Sequence, residues 1–181
     1  MAIIPITVYG DKILKTKTKP VNQVDDELII KIKSMFQTMR NANGIGLAAN
    51  QVSFSDSLFV IDLSPVEGYE NHKPLVMINP QIIDQSDELI TMEEGCLSLP
   101  GLRADVERAE IIKVRFLNTD EKEVEIEADD LFARVILHEY DHLIGKMIPN
   151  RVTSSVKKTL QDQLKLIKDR ELEIDYPITA K

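Results

Sequence analysis

The segment "LFARVILHEYDHLIGK", residues 131–146, carries two of the three histidines of this chain. His138 and His142 are four positions apart, so on a helix they lie on the same face, one turn apart. Two packed core histidines would explain this spacing equally well. The intervening Glu139 favours a metal site, because both imidazoles can then address one ion while a carboxylate lies beside them.

Glu139 occupies the position that the HExxH pattern gives to a general base acting on metal-bound water. Leu131 and Val135 continue the histidine face toward the helix N-terminus, so the metal would lie against apolar packing. Catalytic zinc-type centres typically have three protein ligands and one open position. No third histidine follows His142 closely, so the third ligand must come from elsewhere in the chain.

Cys96, the only cysteine, is the candidate third ligand, since its thiolate would complete a Cys-His-His set. It stands in "EEGCLSLPG", a polar and turn-prone segment, although a single cysteine is more often a small buried apolar residue. One cysteine excludes an internal disulfide and fits a reducing compartment. The remaining histidine, His72, lies in "EGYENHKP" without a partner nearby, and we expect it at the surface.

The segment "NGIGLAANQV", residues 43–52, contains a G-x-G-x-x-A pattern that superficially matches a dinucleotide fingerprint. It follows a predicted helix rather than a strand, and no βαβ unit surrounds it, which excludes that interpretation. Gly44 and Gly46 instead indicate a close approach of the backbone to a substrate. Gln51 offers an amide donor there. A glycine turn leading into a strand is the simpler alternative.

The first predicted helix begins after Asp25, a suitable N-cap, and ends at Asn43, which suits a left-handed stop. Short apolar runs then predict strands at "SLFVIDL", "PLVMINP", "QIIDQ" and "IIKVRFL", and "FLNTDEKEVEIEA" predicts a hairpin. Asp129 or Asp130 is suited to cap the histidine helix, and Gly145 to end it. We predict an α+β fold of antiparallel strands around a central HExxH-bearing helix, with an N-terminal helix and a C-terminal helix.

Length and charge limit the alternatives. The 181 residues predict one domain over residues 1–181, and the net charge of −8 argues against DNA binding. No apolar run approaches the roughly 20 residues of a membrane span, and the N-terminus does not resemble a signal peptide, so a cytoplasmic protein is expected.

The C-terminal helix is predicted over residues 151–171. Residues 151–170 within it carry six basic and two acidic side chains. A solvated helix face and a docking site for an anionic partner both explain that net charge of +4.

Three segments together resemble the peptide deformylase family: "GIGLAANQ" (44–51), "EGCLS" (94–98) and "HEYDH" (138–142). HExxH alone occurs in many metalloenzymes, but these three signatures in this order and spacing are specific to that family. The resemblance covers nearly the whole chain. It implies removal of the N-formyl group from the initiator methionine of new polypeptides in the bacterial cytosol or in organelles, through Glu-assisted attack of metal-bound water or hydroxide on the formyl carbon.

The resemblance also implies site residues. It assigns Cys96, His138 and His142 as ligands of one divalent ion, Fe²⁺ physiologically, with Ni²⁺, Co²⁺ or Zn²⁺ able to occupy the site. It assigns Glu139 as the acid/base and places Gln51 and the backbone N–H of Leu97 in an oxyanion hole. The expected substrate contacts are Gly44, Ile45, Gly46, Glu94, Arg103 and Val135, with Leu131 beside them. Arg108, Asp141 and again Glu94 are candidates to orient the ligands, and a surface ion pair would explain each of them equally well. Arg134 lies close to the histidine face without an assigned role, and its simplest interpretation is a side chain that extends its charge into water.

Two alternatives remain at this stage. An HExxH peptidase with an unusual cysteine ligand would cleave internal peptide bonds, and a binding module with a structural metal would have no turnover. The expected partners are N-formylmethionyl nascent peptides. The ribosome is a further candidate, through the basic C-terminal helix.

Overall fold

A five-stranded sheet and a two-stranded hairpin form the β structure of residues 2–181, the part of the chain that the computed structural model describes. All pairs of neighbouring strands in this part of the chain are antiparallel. The strands are β1 Gly46–Ala48, β2 Leu58–Ile61, β3 Leu75–Gln85, β4 Leu89–Cys96, β5 Leu99–Ala109, β6 Ile112–Leu117 and β7 Glu123–Ala128. The large sheet has the order β1-β2-β3-β6-β7, and β4 pairs with β5.

One helix lies between the two β units. The helices of residues 2–181 are α1 Asp26–Asn41, α2 Asp130–Leu143, α3 Ser154–Thr159 and α4 Gln161–Asp169. Helix α2, which carries the HExxH sequence, contacts β1 and β2 of the large sheet and β5 of the hairpin. Its buried Ala133, Ile136 and Leu137 belong to the apolar core over the large sheet. The predicted α+β class with antiparallel strands is confirmed.

The predicted boundaries of α1 are confirmed by its capping contacts. The Asp25 carboxylate accepts a hydrogen bond from the Leu28 amide at 2.8 Å, which satisfies one of the free N–H groups of the first turn. After the helix, Asn43 adopts the left-handed conformation with φ of 53°. The chain therefore turns directly into the glycine-rich segment that forms β1.

The hairpin of β4 and β5 was not predicted, because charged residues hide its apolar pattern. Along β5, the buried Leu102, Ala104 and Val106 alternate with exposed, mostly charged positions. The prediction of two strands within residues 75–85 was also wrong, since β3 runs through both apolar segments. A register shift and Asn79, with φ of 50°, mark the point where the two segments join.

The ends of the other two predicted helices differ from expectation. Asp129 occupies the N-cap of α2, but its side chain makes no capping hydrogen bond, and Asp130 instead accepts from the Tyr69 hydroxyl at 2.8 Å. A single helix over residues 151–171 was also wrong. The helix is divided into α3 and α4 at Leu160, next to Thr159, whose hydroxyl donates to a backbone carbonyl three residues earlier at 2.7 Å. No helix within residues 2–181 is both long and apolar enough to cross a bilayer.

Candidate metal centre and active site

The end of β4 and one face of α2 meet at a set of three candidate metal ligands. The donor atoms of Cys96, His138 and His142 all lie within 4.8 Å of one another. The Cys96 sulfur is 3.2 Å from Nε2 of His142. Both imidazoles are buried, that of His142 completely. Helical spacing supplies the histidine pair, and the unpredicted hairpin brings the cysteine to it.

The pKa values of the two histidines and their hydrogen bonds are compatible with a bound cation. Although burial opposes protonation, the pKa of His138 lies well above its usual value, because Cys96 and Glu94 hydrogen-bond to its ring. Glu94 Oε2 lies 2.9 Å from Nδ1 of His138, so an Nδ1–H donating to this carboxylate leaves Nε2 for a metal. Burial lowers the pKa of His142 well below its usual value, which favours the neutral form that metals require. These residues therefore fit a divalent metal ion.

Glu139 lies on α2 between the two histidines and is almost completely buried. Its Oε2 has no hydrogen-bond partner within residues 2–181, and burial raises the pKa of its carboxyl to about 7. A buried carboxylate with a free oxygen and such a pKa is suited to accept and release a proton near neutral pH.

Gly46 of β1 and Gly44 just before it leave room for the side chains of other site residues. A Cβ added to Gly46 would lie 2.5 Å from Oε1 of Glu139, and one added to Gly44 would lie 2.7 Å from Cδ1 of Leu97. The backbone is therefore closely approached here by side chains of the protein, and its approach to a substrate stays a prediction. Its partners are the acid/base candidate and the residue after Cys96.

Gln51 is held in place by its own backbone segment. Its Oε1 accepts from the Ala48 amide at 2.8 Å, and its Nε2 donates to Ser98 Oγ at 3.2 Å and lies 3.6 Å from the Cys96 sulfur. Ser98 is fully buried, and sequence reasoning missed it as a partner. The side-chain amide of Gln51 thus points at the candidate metal ligands.

A buried ionic network surrounds His138. Arg108 donates to Oε1 of Glu94 at 2.6 Å and to Asp141 at 2.7 Å, and Arg134 donates to the same Glu94 oxygen at 2.8 Å. Asp141 also accepts from Arg151, which sequence reasoning missed. Glu94 was expected as a substrate contact, but both its oxygens already bind positive or ring N–H groups. Its geometry instead matches the orienting role considered for it.

Arg134 does not extend into water, contrary to expectation. Its guanidinium is buried and also donates to the carbonyls of Val106 and Ile90, at 2.7 and 2.6 Å. His72 was expected at the surface, but it is half-buried and packs edge-on against Phe132 with ring centroids 4.5 Å apart. Neither residue gave a sequence signal for these contacts, because Phe132, Val106 and Ile90 lie far away along the chain.

A groove of about 590 Å³ opens onto these residues. Ile45 and Val135, two of the expected substrate contacts, form an apolar part of its lining together with Leu131. Arg103 lies at its edge, largely exposed, and pairs with Glu93 at 3.5 Å. Residues 42–46, Gln51, residues 93–97, residues 99–103, Leu131, Arg134, Val135, His138, Glu139 and Tyr176 line the groove.

The fold and this site define a class: an α+β enzyme with a candidate Cys-His-His metal centre, an adjacent buried glutamate and an open groove. Comparison with known proteins specifies the class further. The family model described as polypeptide deformylase matches residues 3–158. The chain is 42% identical over 176 residues to a peptide deformylase of Chlorobium phaeobacteroides. The matched segment covers 97% of this chain and 95% of that protein.

Further relatives give the same result. A peptide deformylase of Rickettsia typhi is 42% identical over 172 residues, covering 93% of this chain and 98% of that protein. The solved structure of a peptide deformylase from Legionella pneumophila matches with a TM-score of 0.85 at 34% identity, covering 94% and 98% of the two chains. A plant peptide deformylase matches with a TM-score of 0.88 at 33% identity, covering 94% and 92%. The chain belongs to the peptide deformylase family and is an enzyme of this type.

Proposed function

We propose that this enzyme hydrolyses the N-formyl group of N-formylmethionyl nascent peptides with Glu139 as acid/base at a Cys96-His138-His142 metal centre. The observation that carries the proposal is the convergence of the three ligand atoms within 4.8 Å, with a buried carboxylate from the same helix beside them. A purely structural metal site has no use for that carboxylate, which argues against a binding module without turnover.

The roles of the protein groups follow from their positions. A divalent metal held by Cys96, His138 and His142 would lower the pKa of a coordinated water and polarise a carbonyl. Glu139 accepts the proton of the attacking water and delivers it to the leaving amine, and its pKa of about 7 suits both transfers. Because Glu94 receives the Nδ1–H of His138, it keeps the ring oriented for its ligand role.

Negative charge develops on the formyl oxygen during attack, and donors are required to stabilise it. We assign the Gln51 amide and the Leu97 backbone N–H to this oxyanion hole. Loss of one such donor typically lowers the rate by about 10²- to 10³-fold. Ser98 fixes the Gln51 amide, so little reorganisation is required in the transition state.

We infer a preference for formyl over larger acyl groups from the crowding beside Glu139. A formyl carbon bears only hydrogen beyond its carbonyl, whereas acetyl adds a methyl group near the crowded Gly46–Glu139 contact. We place the methionine side chain against Ile45, Leu131 and Val135. Arg103, exposed at the edge of the groove, is assigned to the peptide backbone of the substrate.

The direct test is release of formate from a formyl-Met tripeptide by protein prepared without oxygen and loaded with Fe²⁺ or Ni²⁺. Activity should require metal, spare the acetyl-Met tripeptide and disappear in Glu139→Gln while metal stoichiometry is retained. Cleavage of internal bonds in unformylated peptides would instead support the peptidase alternative. Metal-loaded protein that releases no formate would refute the assigned substrate.

We propose Fe²⁺ as the physiological ion, one per chain, with Ni²⁺, Co²⁺ or Zn²⁺ as possible replacements. Mixed thiolate and imidazole ligands accept several of these metals. Oxygen should inactivate the iron form, and the Cys96 thiolate is the expected site of damage. Elemental analysis of protein isolated without oxygen, compared with its activity in air, tests this assignment.

We also propose that the enzyme acts in the bacterial cytosol and binds the ribosome through α3 and α4. Lys157, Lys158 and Lys165 are exposed on these helices, in a chain whose net charge is −8. Binding to phosphate groups should weaken steeply with salt. Deleting the helices would remove the buried Leu164 and Ile167 from the core, so reversing the three lysines to glutamate is the cleaner variant. Unchanged co-sedimentation of that variant with ribosomes would refute the proposal.

A further inference from the structure

The C-terminal strap, residues 175–179, crosses the N-terminal segment of the chain. Ile6 and Ile178 form a parallel bridge, in which the Ile6 amide donates to the Pro177 carbonyl at 2.9 Å and the Thr179 amide donates to the Ile6 carbonyl at 3.0 Å. The Thr179 hydroxyl also donates to Asp11 at 2.7 Å. The strap is therefore fixed at several points.

The N-terminal segment connects this strap to the active site. The Thr7 amide donates to the Gln51 carbonyl at 2.8 Å, and the Tyr9 amide donates to the Ser98 carbonyl at 2.9 Å. Residues 6–9 thus bind the strap through Ile6 and the two proposed oxyanion-hole segments through Thr7 and Tyr9. A displacement of the strap would be transmitted to these segments through backbone hydrogen bonds.

Tyr176, within the strap, reaches the site directly. Its ring lines the groove, and its hydroxyl donates to the Leu97 carbonyl at 2.7 Å. Burial raises the pKa of this phenol, so the hydroxyl keeps its proton at neutral pH. On its other side, the Leu97 side chain fills the space that the missing Cβ of Gly44 leaves. Leu97 is therefore held from two directions.

We propose that Tyr176 is a positioning residue that holds the Leu97 backbone in the orientation needed to stabilise the oxyanion. The proposal rests on the deformylase function proposed above. A backbone N–H stabilises developing charge only when its direction is set before the reaction. Leu97 lies in the tight turn between β4 and β5. The Tyr176 hydroxyl binds its carbonyl, and its N–H is the proposed donor to the oxyanion.

The test is Tyr176→Phe, which removes the hydroxyl and keeps the ring against the groove. Loss of this one hydrogen bond should lower kcat by about 3- to 10-fold. KM for the formyl-Met tripeptide should stay within about twofold, because the ring still lines the groove. Tyr69→Phe is the matched control: it removes a hydroxyl bound to Asp130 at 2.8 Å, outside the groove, and should leave kcat unchanged. Metal content and melting temperature are measured for both variants.

A second measurement does not depend on turnover. Amide hydrogen exchange at Leu97 in the zinc-loaded, ¹⁵N-labelled protein should be faster in Tyr176→Phe than in the wild type or in Tyr69→Phe. Unchanged exchange, or a kcat equal to that of the control, would overturn the positioning role. If the wild type releases no formate, the proposed function fails, and exchange at Leu97 still decides whether Tyr176 orders this backbone.

Discussion

Replacing Gly46 with alanine tests the position of the Glu139 side chain. It leaves Glu139, the proposed acid/base, and the three candidate metal ligands unmutated. The added Cβ would lie 2.5 Å from Oε1, 2.9 Å from Cδ and 3.0 Å from Cγ of Glu139. Ordinary contacts of a Cβ begin near 3.4 Å, so Oε1 must move by about 0.9 Å. Gly46 does not have a positive φ, so the substitution causes no backbone strain of that kind.

The expected loss follows from that displacement. A misplacement of about 1 Å in a catalytic group can cost about 10²-fold in rate. Gly46→Ala should therefore lower kcat by about 10²-fold, while the three ligands and their metal remain. Crowding of a buried side chain should also lower the free energy of unfolding by about 1–3 kcal/mol.

The assay compares kcat for formate release at matched metal content, with urea unfolding to measure stability. Gly68→Ala serves as the control, because Gly68 has φ of 87° and no neighbouring atom within 4 Å of an added Cβ. It should lose about 1–2 kcal/mol of stability through backbone strain alone and keep its activity. Retention of kcat within about threefold in metal-loaded Gly46→Ala would refute the inference that the position of Oε1 beside Gly46 is required for activity.

Three further predictions concern the surrounding residues. Glu94→Gln leaves the buried Arg134 without a negative partner and Arg108 with Asp141 alone, so the free energy of unfolding at pH 7 should fall by about 3–5 kcal/mol in urea titrations. Although burial raises it, hydrogen bonds from His138 and Arg108 lower the pKa of Glu94 below the ordinary 4.5. Its contribution to stability is therefore complete above that pH and is lost as pH falls through the folded-state pKa, and an equally steep acid decline in the variant would contradict this. Chelation should leave the circular dichroism spectrum unchanged, because the apolar core packs without the ligands; loss of the helical signal would reveal a structural metal. Arg103→Ala should raise KM several-fold with kcat unchanged, and a fall in kcat alone would contradict its placement at the peptide backbone.

Elements with local patterns could be predicted from the sequence. The cap at Asp25, the left-handed Asn43 and the helical spacing of His138 and His142 all depend on residues within a few positions of one another. The β6–β7 hairpin was predicted for the same reason, from alternating apolar residues on either side of a turn. By contrast, the β4–β5 hairpin has so many charged exposed positions that its buried side gave no clear signal.

The long-range contacts could not be predicted in the same way. Glu94 carries no local sign that its carboxylate meets two arginines and His138, and Gly46 carries none that its partner is Glu139. Tyr176 was missed because nothing near it in the sequence suggests a contact with Leu97, 79 residues earlier.

The sequence by itself determined the two-histidine face of α2, with its glutamate, and the composition of a candidate ligand set. This was possible because helix periodicity fixes the relative directions of side chains four residues apart. Only the tertiary structure decided that Cys96 reaches that face, that the Glu94 carboxylate lies beside His138 and that Tyr176 donates a hydrogen bond to Leu97. Those contacts depend on pairing between segments that are distant in the chain, and packing energies rather than local backbone preferences determine such pairing.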